Sequence, residues 1–228
     1  MRYLFDRLFG SRTRTEELFN VRRRLLEQAG PGVASHAEQQ LALRLRTLRE
    51  TLVARLGVVQ ACASCVQPRS ASWPGGHCCS GHTNNLFTDD ELAALKLAGT
   101  TAAQLKAPRT SHAGCAFRGP RGCSLDAAHR PCLCVRYACR ELQSELHRRG
   151  DGPASAQLQE ELRVEFERFL ARRNERIEAN WFAELQASLH SRQTQRSHKG
   201  LTPTKSLSER RDQGGQTGTP ATSCSRDR

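Results

Sequence analysis

Aromatic residues make up only 5% of this 228-residue chain, and methionine occurs once. A core must then be built from Leu, Val and Ala, which points to a mainly helical fold. No stretch reaches the roughly 18 uncharged apolar residues needed to span a bilayer, so no membrane segment is expected. The first residues hold short apolar pairs broken by Arg2, Asp6, Arg7 and Arg12. That pattern lacks the continuous apolar run of a secretory signal, and a cytoplasmic protein is the expectation. Also missing are G-x-S-x-G, Walker A, G-x-G-x-x-G and H-E-x-x-H motifs. No catalytic residue is named by the sequence, and an enzyme is not the favoured reading.

Cysteine is what the chain has in excess. There are ten, nine of them between Cys62 and Cys139, with Cys224 alone in a polar tail. In a reducing compartment, dense cysteines read as metal ligands or redox groups before structural disulfides. The formal charge of +12 comes mostly from Arg. It is spread over residues 1–57, 58–153 and 190–228, while 154–189 is slightly acidic. Solvated helix faces account for most of it, and some Arg near the cysteines can balance anionic thiolate–metal clusters. Nucleic-acid binding is the alternative that such a charge raises. Scattered basic residues, few aromatics and no finger spacing ending in paired histidines count against it.

Hydrophobic periodicity predicts a helix over 16–29, with Leu18, Val21, Leu25 and Leu26 on one face and Gly30-Pro31 ending it. A second helix is expected over 36–56, opened by a Ser35/Glu38 capping box and striped by Leu41, Leu45, Leu48, Leu52 and Leu56. Residues 58–87 read as loop. Thr88 and Glu91 form a second capping box for a short helix over 89–98, and 107–131 is again loop-like. Helices over 135–149 and about 155–189 follow, the latter carrying Leu158, Leu162, Phe166, Phe169, Leu170, Ile177, Trp181, Leu185 and Leu189. The tail is too polar to bury surface and is expected to be disordered. The resulting division is a helical N-terminal arm (1–57), a cysteine module (58–150), a long helix (154–190) and a tail (191–228).

Within the module, Cys62-Ala-Ser-Cys65 has the C-x2-C spacing that lets two thiolates reach one tetrahedral ion. Cys78-Cys79 follows, then Cys115, Cys123, Cys132, Cys134 and Cys139, with His77, His82, His112 and His129 interspersed. The two loops are too poor in apolar residues to fold alone. A bound ion would cross-link them, its binding free energy becoming folding free energy. Eight or nine thiols exceed the four that one zinc takes, so two zinc ions or an iron–sulfur cluster would use them better. Thiolate ligands suit both equally. The histidines read as polar loop residues or as donors to ligands.

Cys62-x2-Cys65, Cys78-Cys79 and Phe87-Thr-Asp-Asp-Glu-Leu92 opening a helix resemble the YkgJ-type family of cysteine-cluster proteins, a zinc- or iron-chelating domain family. Gly114-Cys115, Gly122-Cys123-Ser-Leu125 and Arg130-Pro131-x-x-Cys134 extend the resemblance over about residues 62–139. It implies Cys62, Cys65, Cys78, Cys79, Cys115, Cys123 and Cys134 as ligands, with Cys132 and Cys139 as a second tier that can equally pack as small apolar residues. Flagellin lysine methylases are similar in cysteine pattern but larger, and the cluster alone does not transfer their activity. The expectation is a mainly α-helical protein whose arms flank a loop-rich, metal-organised cysteine module. The metal, zinc or iron–sulfur, would be structural, or would support redox chemistry or a partner enzyme. The alternatives are a zinc-stabilised nucleic-acid-binding module and a metal-dependent enzyme or protein-modification accessory. A protein partner would dock on the helical arms.

Overall fold

The computed structural model describes residues 14–56, 83–109, 115–119 and 122–199. It is mainly helical. In chain order the elements are α1 (Arg14–Glu27), α2 (His36–Leu56), α3 (Thr83–Leu86), α4 (Asp89–Leu97), β1 (Arg118–Gly119) and β2 (Gly122–Cys123). They continue with a 3-10 turn (Ala127–His129), α5 (Cys132–Arg136), α6 (Arg140–Arg148) and α7 (Gly152–Lys199). The chain divides into two units after Trp181. The first contains every element through residue 181. The second, within the described residues, is the continuation of α7.

The capping box expected for α2 is present, and of the one expected for α4 only the Thr88 half is made, the Glu91 carboxylate accepting from Cys132 N and Leu133 N instead. Ser35 N donates to the Glu38 carboxylate at 2.8 Å, and Glu38 N donates back to Ser35 Oγ at 3.2 Å, which closes the capping box of α2. Thr88 Oγ1 accepts from Glu91 N at the start of α4. Gly99, at φ 89°, closes α4 in the left-handed conformation that glycine adopts without penalty. Pro153 lies in the first turn of α7, where its missing N–H costs nothing.

Two apolar clusters organise the first unit. One joins α2 (Ala42, Leu45, Leu48, Leu52), α4 (Ala93, Ala94, Leu97), α5 (Cys132, Val135) and α7 (Leu162, Phe169). The other joins α1 (Val21, Leu25) and α4 (Leu92, Leu95) to Leu86, Phe87, Leu105, Cys115, Phe117 and Leu125. α4 feeds both because its apolar residues cover nearly its whole circumference, as befits a buried helix. Each fully buried Leu or Phe contributes about 1.5–3 kcal/mol. A third, small cluster pairs Leu142 with Leu146.

Some boundaries differ from expectation. Leu26, placed on the core face of the first helix, is exposed. The single helix over 135–149 is two, α5 and α6, separated at 137–139. Val135 belongs to the α2–α7 cluster and Leu142 to the small one, so the chain turns between them. α7 also runs through 191–199, which composition assigns to the tail. That stretch contains no Gly or Pro, and extending a formed helix costs little. The rest of the tail, including Cys224, lies outside the described residues. So does most of the loop-rich part of the cysteine module.

Candidate metal centre

Cys62, Cys65, Cys78 and Cys79 lie outside the described residues, as do His77, His82 and His112. The described candidates are Cys115, Cys123, Cys132, Cys134 and Cys139. Among the described residues, no group of three or more His, Cys, Asp or Glu could by itself hold an ion.

Cys115 opens the turn that leads into β1. Its carbonyl accepts from Arg118 N at 2.9 Å, and Arg118 pairs with Cys123 across the two-stranded sheet. Ser124 N donates to Phe117 O at 2.8 Å and extends that ladder. The hairpin therefore brings the Cys115 and Cys123 segments side by side. Cys115 is buried in the α1–α4 cluster, Cys134 packs against the same cluster, and Cys123 is exposed.

The Cys115 turn is pinned from two directions. Arg14 of α1 donates from Nη2 to the carbonyls of Cys115 and Arg118, at 2.9 and 3.0 Å. Thr83 Oγ1 accepts from Ala116 N at 2.9 Å and donates to the Glu17 carboxylate. Thr83 follows Cys79 by four positions in the sequence and opens α3 beside the Cys115 turn. Arg22 adds two bonds to Leu105 O, at 2.7 and 3.0 Å.

Cys132 stands apart from this group. Residues two apart on an α-helix differ by about 200° in direction, and α5 uses that difference. Cys134 packs on the α1–α4 cluster, while Cys132 is buried in the α2–α7 cluster. The Cys132 thiol accepts a long hydrogen bond, 3.7 Å, from Nη1 of the fully buried Arg49. Burial pushes this thiol up, and the neighbouring Glu91 adds to the effect. Cys139 packs with Leu142 and Leu146.

Glu91 is the carboxyl group at the centre of this second environment. It accepts from Cys132 N at 3.0 Å and from Leu133 N at 3.4 Å. Burial pushes it above the usual carboxylate range, against the pull of those N–H groups and of Arg49. Arg49 Nε and Nη2 have no acceptor among the described residues. His129, also buried, shares a 3.0 Å hydrogen bond between its Nδ1 and Thr100 Oγ1. Burial holds it below the ordinary imidazole value, with Asp126 pulling the other way.

Thr83, Arg14 and Arg49 carry no motif in the sequence, and the spacing of Glu91 from Thr88 points only to a local cap. Arg49 follows Leu48 on the Leu-striped helix, and one charge beside such a stripe reads as solvated. The donor chemistry here, thiols without a carboxylate among the ligand candidates, fits zinc or an iron–sulfur cluster. Comparisons with protein-family models, with curated proteins and with solved structures found no match.

Proposed function

We propose that this chain is a cytoplasmic metal-binding protein of the YkgJ-type cysteine-cluster kind, with Cys62, Cys65, Cys78, Cys79, Cys115, Cys123 and Cys134 shared between two zinc ions or by an iron–sulfur cluster. The observation that carries the reading is the Thr83 node. Thr83, four positions after Cys79 in the sequence, is bonded to the residue after Cys115, with Cys123 across the hairpin and Cys134 on the same apolar cluster. Cys115, Cys123 and Cys134 thereby come from segments that share one scaffold. Zinc or an iron–sulfur cluster would cross-link these loops, and an iron–sulfur centre would add electron transfer.

Anaerobically purified protein is expected to carry stoichiometric zinc or a brown chromophore, read by elemental analysis and visible absorption. Cys65→Ser and Cys123→Ser lower the metal content, and Cys224→Ser leaves it unchanged. Folded protein with neither metal, and with every thiol titrating freely, would refute the proposal.

A protein partner on the helical arms is a second part of the reading. Its support is the exposure of Ile177 (41%) and Trp181 (57%) on α7, large apolar residues that a lone helix face does not need in water. Ile177→Ser with Trp181→Ser should abolish a specific co-purifying protein while leaving metal content intact. An unchanged set of co-purifying proteins counts against this role.

A further inference from the structure

We propose that Glu91 is a positioning residue of the metal centre, setting the direction in which Cys134 leaves α5. This rests on the reading of Cys134 as a ligand.

α5 has five residues, too few to be stable alone. Its first N–H groups have no partner within the helix. Pro131, the residue before it, supplies no side-chain cap. The missing acceptors come instead from α4, whose Glu91 carboxylate takes the N–H groups of both Cys132 and Leu133. At this position in a capping box the carboxylate would turn back to the N–H of Thr88. Here it reaches across to another helix.

α4 can bear that role because it is itself braced. Asp89 pairs with Arg24 of α1 at 2.8 Å, and Asp90 pairs with Arg173 of α7 at 2.7 Å. Glu91 thus fixes where α5 begins, and the Arg49–Cys132 contact fixes its rotation about its own axis. Both together turn Cys134 to the cluster that holds Cys115. Partners that orient ligands in this way typically change metal affinity by about 10–100-fold when removed.

The test uses full-length, reduced, metal-stripped protein loaded with cobalt(II). It follows the thiolate-to-cobalt absorption, the d–d bands and release to a competing chelator. Glu91→Ala is expected to weaken cobalt binding about 10–100-fold and to alter the d–d bands. Glu91→Gln, which keeps one acceptor oxygen and nearly the same volume, falls between Ala and wild type. It also carries the test should the alanine variant not fold. Leu146→Ala, in the separate small cluster, lowers stability without changing the cobalt spectrum.

The inference is overturned if both Glu91 variants match wild type in spectrum and release, or if Leu146→Ala disturbs the spectrum equally. Should wild type load cobalt and Cys134→Ser load it identically, the ligand role of Cys134 falls and the positioning role with it, while the centre stands. Wild type that takes up no cobalt and carries no metal overturns both readings.

Discussion

Glu38 and Glu91 are both buried carboxyl groups, and their surroundings move them in opposite directions. Burial opposes ionisation of Glu38, but Arg176 Nε donates to both its oxygens, at 2.8 and 3.0 Å, and Ser35 adds its own bonds. The net result holds Glu38 below its ordinary value of 4.5. A carboxylate lowered by folding contributes stability that is complete above the unfolded value and disappears as pH falls through the folded one. Glu38→Ala is therefore expected to cost about 3–5 kcal/mol in urea unfolding at neutral pH. It should also flatten the loss of stability below pH 4.5. A variant within 1 kcal/mol of wild type, with an unaltered acid profile, would show that Arg176 gains nothing from the pair. The Ser35/Glu38 box could be read from spacing alone. Arg176 could not, because 138 positions separate it from Glu38.

For the elements, local chemistry decided the ends and packing decided the breaks. Gly99 ends α4 because only glycine takes φ 89° without strain. A Cβ there would meet nothing nearer than Arg46 Nη1 at 3.9 Å, so the cost of alanine is conformational rather than steric. Gly99→Ala should cost about 1 kcal/mol, whereas Gly30→Ala, with open space and no positive φ, should be neutral or slightly stabilising. Equal denaturation midpoints for the two variants would contradict this account. The α5–α6 break had no such local signal. No Gly or Pro marks it, and the chain turns because Val135 and Leu142 serve different clusters. The partners of Glu91 differ from the local cap for a similar reason: spacing shows that a carboxylate can reach back, not that another helix offers it two N–H groups.

Across the first unit, the α2–α4–α5–α7 cluster is built almost wholly of Leu, Ala and Phe, with the single thiol of Cys132 buried inside it. Apolar burial on that scale is expected to hold this core without an ion. The Cys115–Cys123 hairpin, by contrast, is two residues per strand and leans on Arg14 and Thr83. Stripping metal with a chelator should therefore leave most of the helical far-UV signal while raising amide exchange at 115–119 and 122–125. Loss of the helical signal together with the metal would make the ion part of the main core. Among the described residues no helix is long and apolar enough to cross a membrane.

Spacing and composition alone determined the helical class, the start of α2 and α4, the Leu stripe of α2 and the crowding of cysteines. Each is written in residues that are neighbours along the chain, where periodicity and capping act. Only the tertiary structure decided that Cys132 and Cys134 part company, that Thr83 meets the Cys115 turn, and that Glu91 serves α5. Those outcomes depend on which faces of separate helices meet, and burial, not sequence distance, sets that choice.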